Sequence, residues 1–235
     1  MKICYVVAMR AEARPLIEYF NLRQVEDVFS PLPCLLYQRD DLSVVVNGTQ
    51  GEGIEERDLI GCEAASVATM AAITHLHPDL VISSGTCGGW QRYGGRVGQV
   101  YVADGVMFHD RRVPGDNAWD TQGLGNYPVW EGSRDLADKL SLPMGKVTTG
   151  SSFDLSSEEE RLIDAHGGRL KEMEGAAVAF VCHLYGTPVM LVKAITNLRD
   201  APDDDITAFQ QNLRKASEAL LEANVRIIKQ LTVNG

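Results

Sequence analysis

Ile3-Cys4-Tyr5-Val6-Val7-Ala8-Met9 is an unbroken apolar run, and Ala11–Phe20 directly after it carries apolar side chains at helical spacing. A short run of this kind fits a strand buried on both faces, and the change of period marks a strand feeding a helix. That pair is the first unit of an α/β architecture. The run is too short for the apolar region of a signal peptide and far too short to span a membrane.

Outward from it the alternation of strands and helices continues. Leu35–Gln38 and Leu42–Asn47 read as a hairpin turning at Arg39-Asp40-Asp41, and Gly48–Gly61, with four glycines, as a loop. Ala64–Leu76 is an alanine-rich helix that must pack closely against a neighbour. Asp79–Ser84 reads as a strand entering a tight turn at Gly85-Thr86-Cys87-Gly88-Gly89. Val97–Phe108, Gly145–Thr149 and Pro188–Ile195 are further strands; Ser133–Leu140, Glu172–Leu184 and the long amphipathic Thr207–Leu231 are helices. Arg111–Trp130 reads as a long loop, which in a compact domain is functional or forms an interface. No repeat, low-complexity tract or linker interrupts the pattern, so residues 1–235 are expected to form one domain.

Composition narrows the partners. Apolar residues make up 45% and charged residues 23%, as in an ordinary globular protein. A formal net charge of −10 argues against a nucleic-acid partner and fits a small or neutral ligand. Cys4, Cys34, Cys62, Cys87 and Cys182 are scattered, odd in number and without CxxC spacing, and the five histidines add no zinc pattern. The expectation is reduced thiols in a cytoplasmic protein, with no metal, cofactor or membrane partner.

Ligands of open α/β sheets bind beyond the carboxyl ends of strands. Five such ends carry suggestive residues: Glu12, Gly85–Gly89, Gly150–Asp154, Glu174 and Thr196-Asn197. The glycines would let backbone N–H groups approach a ligand, though the segment is neither a Walker A loop nor GxGxxG and serves equally well as a tight turn. Glu12, in a first helical turn, also suits the helix dipole. Glu174 opens a helix whose continuation, Gly175-Ala176-Ala177-Val178-Ala179, is small and apolar. Such a helix is buried, so a carboxylate at its mouth faces a cleft.

Ala8-Met9-Arg10-Ala11-Glu12, Gly85-Thr86-Cys87-Gly88-Gly89, Met173-Glu174-Gly175-Ala176-Ala177-Val178-Ala179 and Lys193-Ala194-Ile195-Thr196-Asn197 together resemble the nucleoside phosphorylase/nucleosidase superfamily. Within it the chain is most similar to 5′-methylthioadenosine and S-adenosylhomocysteine nucleosidases of the plant type. Phe108-His109-Asp110-Arg111-Arg112-Val113-Pro114 supports that branch. The resemblance implies a three-layer α/β/α sandwich around a twisted mixed sheet, and a homodimer.

It also implies roles. Glu12 activates the water that attacks C1′, and its charge stabilises an oxocarbenium-like ribosyl transition state. Glu174 accepts hydrogen bonds from ribose hydroxyls within the segment Lys171-Glu172-Met173-Glu174, with Met173 packing on the sugar. Phe153 stacks on the purine, backbone around Asp154 reads the base edge, and Thr86 and Gly88 contact the nucleoside. His109 either lines the 5′-substituent pocket of a neighbouring subunit or is a solvated loop histidine.

Two departures sharpen the expectation. Related phosphorylases hold phosphate with an arginine two residues before the first glycine of the turn; here that residue is Ser83, followed by Ser84, so water is the expected nucleophile. Lys193 and Arg199 are the cations that could replace it. The family's general acid is an aspartate, but this chain has Asn197, which can donate a hydrogen bond to N7 without giving up a proton. Three accounts stand open: an introduced Asp-to-Asn change, a natural group acting on futalosine- or inosine-like 6-oxopurine nucleosides, or a nucleoside-binding protein that has lost catalysis. Retention of both Glu12 and Glu174 speaks against a purely binding or storage role, because buried carboxylates are expensive without a task.

Overall fold

The computed structural model describes residues 1–115, 117–202 and 205–233. Strand β1 (Ile3–Val7) is buried at every position and leads into helix α1 (Arg10–Phe20). Along β1, Cys4 and Val6 enter one apolar core while Ile3, Tyr5 and Val7 enter another, the period-two signature of a strand covered on both faces. Strands β2 (Arg23–Val25), β3 (Leu35–Arg39) and β4 (Leu42–Val46) follow, and the β3–β4 hairpin turns through Asp40 at a left-handed φ of 51°.

A two-stranded ladder of β5 (Thr49–Gln50) and β6 (Arg57–Asp58) occupies the segment expected to be loop. Helix α2 (Cys62–Leu76) precedes β7 (Leu80–Gly89), and β8 (Val100–Phe108) follows. The chain continues through α3 (Asn117–Leu124), α4 (Ser133–Leu140), β9 (Met144–Thr149), α5 (Ser157–Ala165) and β10 (Gly168–Glu172). It closes with α6 (Gly175–Tyr185), β11 (Val189–Leu198) and α7 (Asp205–Val233).

Nine strands form one sheet in the order β10-β9-β8-β11-β7-β1-β4-β3-β2, with parallel and antiparallel neighbours. Helices α2 and α6 pack over one face, and α1, α4 and α7 over the other. The expected three-layer arrangement around a mixed sheet is therefore present. No helix among the described residues is long and apolar enough to cross a membrane.

The structure corrects three local expectations and adds two elements, α5 and β10. Gly85–Gly89 is not a turn but the end of β7, paired with β11 along its length and with β10 at Gly88 and Gly89. Its glycines serve close strand packing: a Cβ on Gly89 would stand 2.5 Å from Ile195 Cδ1. The stretch 111–130 contains α3. Glu172 ends β10 rather than starting a helix, and α6 begins only at Gly175 with Glu174 as its N-cap. Helix α5 was not anticipated, because Ile163 is its one buried residue; Ser156 and Glu159 hold it with a reciprocal capping box, and Glu158, Glu159 and Glu160 crowd its first turn. Strand β10 was hidden by Arg169, Lys171 and Glu172, charges that strand patterning places outside.

Candidate active site

The carboxyl ends of β1, β7, β10 and β11 open onto one pocket. Glu12 stands at its floor, on the first turn of α1, with its Oε1 accepting from Thr86 N at 2.6 Å and Thr86 Oγ1 at 2.7 Å. Burial pushes the Glu12 carboxyl above its ordinary range, while the Thr86 and Met9 hydrogen bonds and the Lys193 charge oppose part of the shift. Gly85 leaves room for this contact: a Cβ there would meet Glu12 Oε1 at 3.3 Å.

Glu174 faces the same pocket from the mouth of α6, accepting from Gly61 N at 2.8 Å. Burial, reinforced by the neighbouring Glu172 charge, pushes its pKa up to about 7. Glu172 itself is consumed by the protein. It accepts from Thr149 Oγ1, from Gly175 N at 2.7 Å and from Glu174 N at 3.2 Å, and pairs with Lys193 Nζ at 2.8 Å. Although burial acts the other way, Lys193 and these donors hold Glu172 below the usual carboxylate range.

Lys193 also reaches Ser83 Oγ at 3.2 Å. This buried ion pair occupies the space beside Ser83, so its ammonium is committed to Glu172. Arg199 is likewise paired with Asp205. No described group of histidine, cysteine, aspartate and glutamate side chains has the arrangement of a metal site.

The far wall is aromatic. Phe153 lines the pocket with Phe209 of α7, their rings edge to face at a centroid distance of 5.6 Å. Lys171 Nζ donates to the backbone oxygens of Ser152 at 2.5 Å and Phe153 at 3.0 Å, which fixes the loop carrying Phe153. Asn197, at the end of β11, is nearly fully buried; its Nδ2 donates to Asp205 Oδ1 at 2.8 Å, and its Oδ1 accepts from Thr196 Oγ1 at 2.9 Å.

The structure thus brings together Glu12, Thr86, Gly88, Phe153, Lys171, Glu172, Met173, Glu174 and Asn197. It leaves His109 and Asp154 outside the pocket lining, and Asp154 is exposed. The solvated reading of His109 is overturned. Its exposure is 1%, the ring packs on Gly150, and burial followed by the Lys171 charge lowers its pKa to about 4. The histidine is enclosed because its N–H joins Thr149 O as a continuation of the β8–β9 ladder.

Ile60, Phe209 and Asp205 were not legible as site residues. Phe209 and Asp205 sit at the start of a helix whose sequence speaks only of amphipathic packing; through folding alone Phe209 reaches the pocket and Asp205 reaches the Asn197 amide.

The family model described as the phosphorylase superfamily matches residues 2–229. A 5′-methylthioadenosine nucleosidase of Arabidopsis thaliana is 38% identical over 96% of this chain and 85% of its own length. A 5′-methylthioadenosine/S-adenosylhomocysteine nucleosidase of the same plant is 34% identical over 96% of this chain and 90% of its own. The solved structure of Arabidopsis thaliana 5′-methylthioadenosine nucleosidase in apo form superposes with a TM-score of 0.91 at 37% identity, covering 97% of this chain and 94% of that one. With the family model matched over residues 2–229 and relatives more than 30% identical over 96% of its length, the chain belongs to the phosphorylase superfamily.

Proposed function

We propose that the chain hydrolyses the N-glycosidic bond of a 5′-thio-substituted adenine nucleoside, 5′-methylthioadenosine first and S-adenosylhomocysteine second. Adenine and the ribose derivative are the products, and residues 1–235 act as one domain. The observation that carries this reading is the meeting of two carboxylates, buried Glu12 and half-buried Glu174, in a pocket beside which Lys193 is ion-paired with Glu172, Arg199 with Asp205, and Lys171 is turned onto the backbone oxygens of Ser152 and Phe153. Phosphate would have to draw one of these cations from the protein group that already holds it, whereas water needs only a base. The names of the two plant relatives agree with this chemistry.

In the reaction, Glu12 takes a proton from water as the water oxygen bonds to C1′. The C1′–N9 bond breaks, and its electron pair leaves with the purine. A raised pKa suits a base working near neutrality, and the carboxylate faces the developing positive charge of the sugar. Glu174 holds the ribose hydroxyls, Met173 packs on the sugar, and Thr86 and Gly88 line its other side. Lys171 acts by holding the Phe153 loop over the base, and Glu172 by orienting the Glu174 backbone. Asn197 donates to N7 but keeps its proton, so the departing base is protonated from solvent and turnover is slow. We assign His109 a packing role and the backbone at Asp154 an outer contact with the base.

The partner is a small nucleoside, and the assembly is a homodimer. Val67 and Met70 of α2 and Phe180 and Leu184 of α6 remain exposed side by side on adjacent helices, an apolar face that a second copy would cover. A reducing compartment, the cytoplasm, suits five unpaired thiols. Adenine release from 5′-methylthioadenosine, followed by chromatography, tests the central role. Glu12→Gln should lower kcat by about 10²–10⁴-fold with KM nearly unchanged; undiminished release by that variant would overturn the assignment.

A further inference from the structure

The Asn197 carboxamide is held in one orientation by two neighbours. Nδ2 donates to Asp205 Oδ1 at 2.8 Å, and Oδ1 accepts from Thr196 Oγ1 at 2.9 Å. The second oxygen of Asp205 is ion-paired with Arg199. A carboxylate only accepts hydrogen bonds, so turning the amide over would set its oxygen against the Asp205 oxygen, acceptor facing acceptor. With Asn197 only 4% exposed, water offers little compensation for that contact.

A primary amide has two N–H donors and an oxygen with two lone pairs. Asp205 takes one donor and Thr196 one lone pair. Among the described residues this leaves one donor and one acceptor for a ligand in the pocket that Asn197 lines. Adenine presents the complementary pair on its N7 edge: N6–H donates and N7 accepts, the pairing asparagine makes with adenine in general. A 6-oxopurine offers two acceptors there, O6 and N7, and O6 would oppose the amide oxygen.

Two further features serve this reading. Asp205 and Phe209 are four residues apart and so share one face of α7, which couples the residue orienting the base reader to the aromatic wall against Phe153. Gly88 keeps the approach open, since a Cβ there would crowd Arg199 Cδ at 3.1 Å and Asn197 Nδ2 at 3.5 Å.

We propose that Asp205 is a specificity-determining positioning residue: by fixing the amide of Asn197 it makes the pocket select 6-aminopurine over 6-oxopurine nucleosides. The inference rests on the nucleosidase reading and names the residue that sets its preference for adenine.

The test compares 5′-methylthioadenosine with 5′-methylthioinosine, measuring both kcat/KM and the dissociation constant by calorimetry, in the parent chain and in Asp205→Asn and Asp205→Ser. The parent should favour the adenine compound by about 10-fold or more. Asp205→Asn can donate as well as accept, which frees the Asn197 amide to turn, so the preference should collapse towards parity. A general loss of packing would weaken both ligands together and leave the ratio intact. Equal or better use of methylthioinosine by the parent overturns the proposal while leaving the nucleosidase reading standing, and so does an unchanged ratio in a folded Asp205 variant. If the parent neither binds nor cleaves either compound, the nucleosidase reading itself falls and this inference with it.

Discussion

Residue 197 places a neutral amide 2.8 Å from the Asp205 carboxylate, which remains paired with Arg199. Asn197→Asp would bring two carboxyl groups to hydrogen-bond distance, and like charges so close do not both ionise, so the pair should hold one proton at neutral pH. That proton is what the leaving adenine lacks. The variant should release adenine about 10²–10⁴-fold faster than the parent and show an alkaline limb in its pH–rate profile that the parent lacks; an unchanged rate would mean that departure of the base is not limiting. Glu174 gives a second pH signature. Its pKa rises from 4.5 to about 7 in the fold, so its contribution to stability is full below its unfolded value and is lost as pH climbs through 7. Thermal melts of the unliganded protein should decline between about pH 5 and pH 8, and Glu174→Gln, which cannot ionise, should decline less. Glu12 and Glu174 were legible in sequence because each stands where a buried strand or helix leaves a carboxylate no solvent to face. Asp205 was not, because its meaning lies in a contact eight residues away across a loop.

Among the elements, β7 and β10 are where patterning and structure part. The glycines of β7 look like a turn because local sequence cannot show that β10 and β11 press against them. Charged β10 looks like surface because its partners, Lys193 for Glu172 and the Ser152–Phe153 backbone for Lys171, come from other elements. The loop carrying Phe153 starts at Gly150, whose N–H donates to Glu172 O at 3.1 Å, and a Cβ on Gly150 would lie 2.3 Å from the His109 ring. Gly150→Ala must push a buried, rigid ring aside. It should cost about 1–3 kcal/mol of stability by denaturant titration and raise KM through displacement of Phe153. Wild-type values for both would show that this contact does not set the loop. By contrast, α2, α4 and α7 were readable within a few residues, since long amphipathic or alanine-rich segments declare themselves locally.

At the scale of the molecule, the layered architecture was legible from the alternation of apolar strands and helices, but the closure of β10 onto β7 was not. The pocket gathers residues from positions 12, 86, 153, 174, 197 and 209, with Gly88 and Lys171 of the β7–β10 pairing also in its lining. A homodimer would bury the exposed apolar face of α2 and α6, so light scattering should give twice the chain mass, falling to one in Phe180→Asp/Leu184→Glu; a monomeric parent would overturn the proposed assembly. The central claim is cleavage of a purine nucleoside by water in a pocket whose cations, Lys171, Lys193 and Arg199, are each held by other groups of the protein. Its most direct test is product analysis of 5′-methylthioadenosine incubated with the protein, with and without saturating phosphate. The account predicts adenine and free 5-methylthioribose at the same rate in both; formation of the sugar 1-phosphate, or release that depends on phosphate, would contradict it.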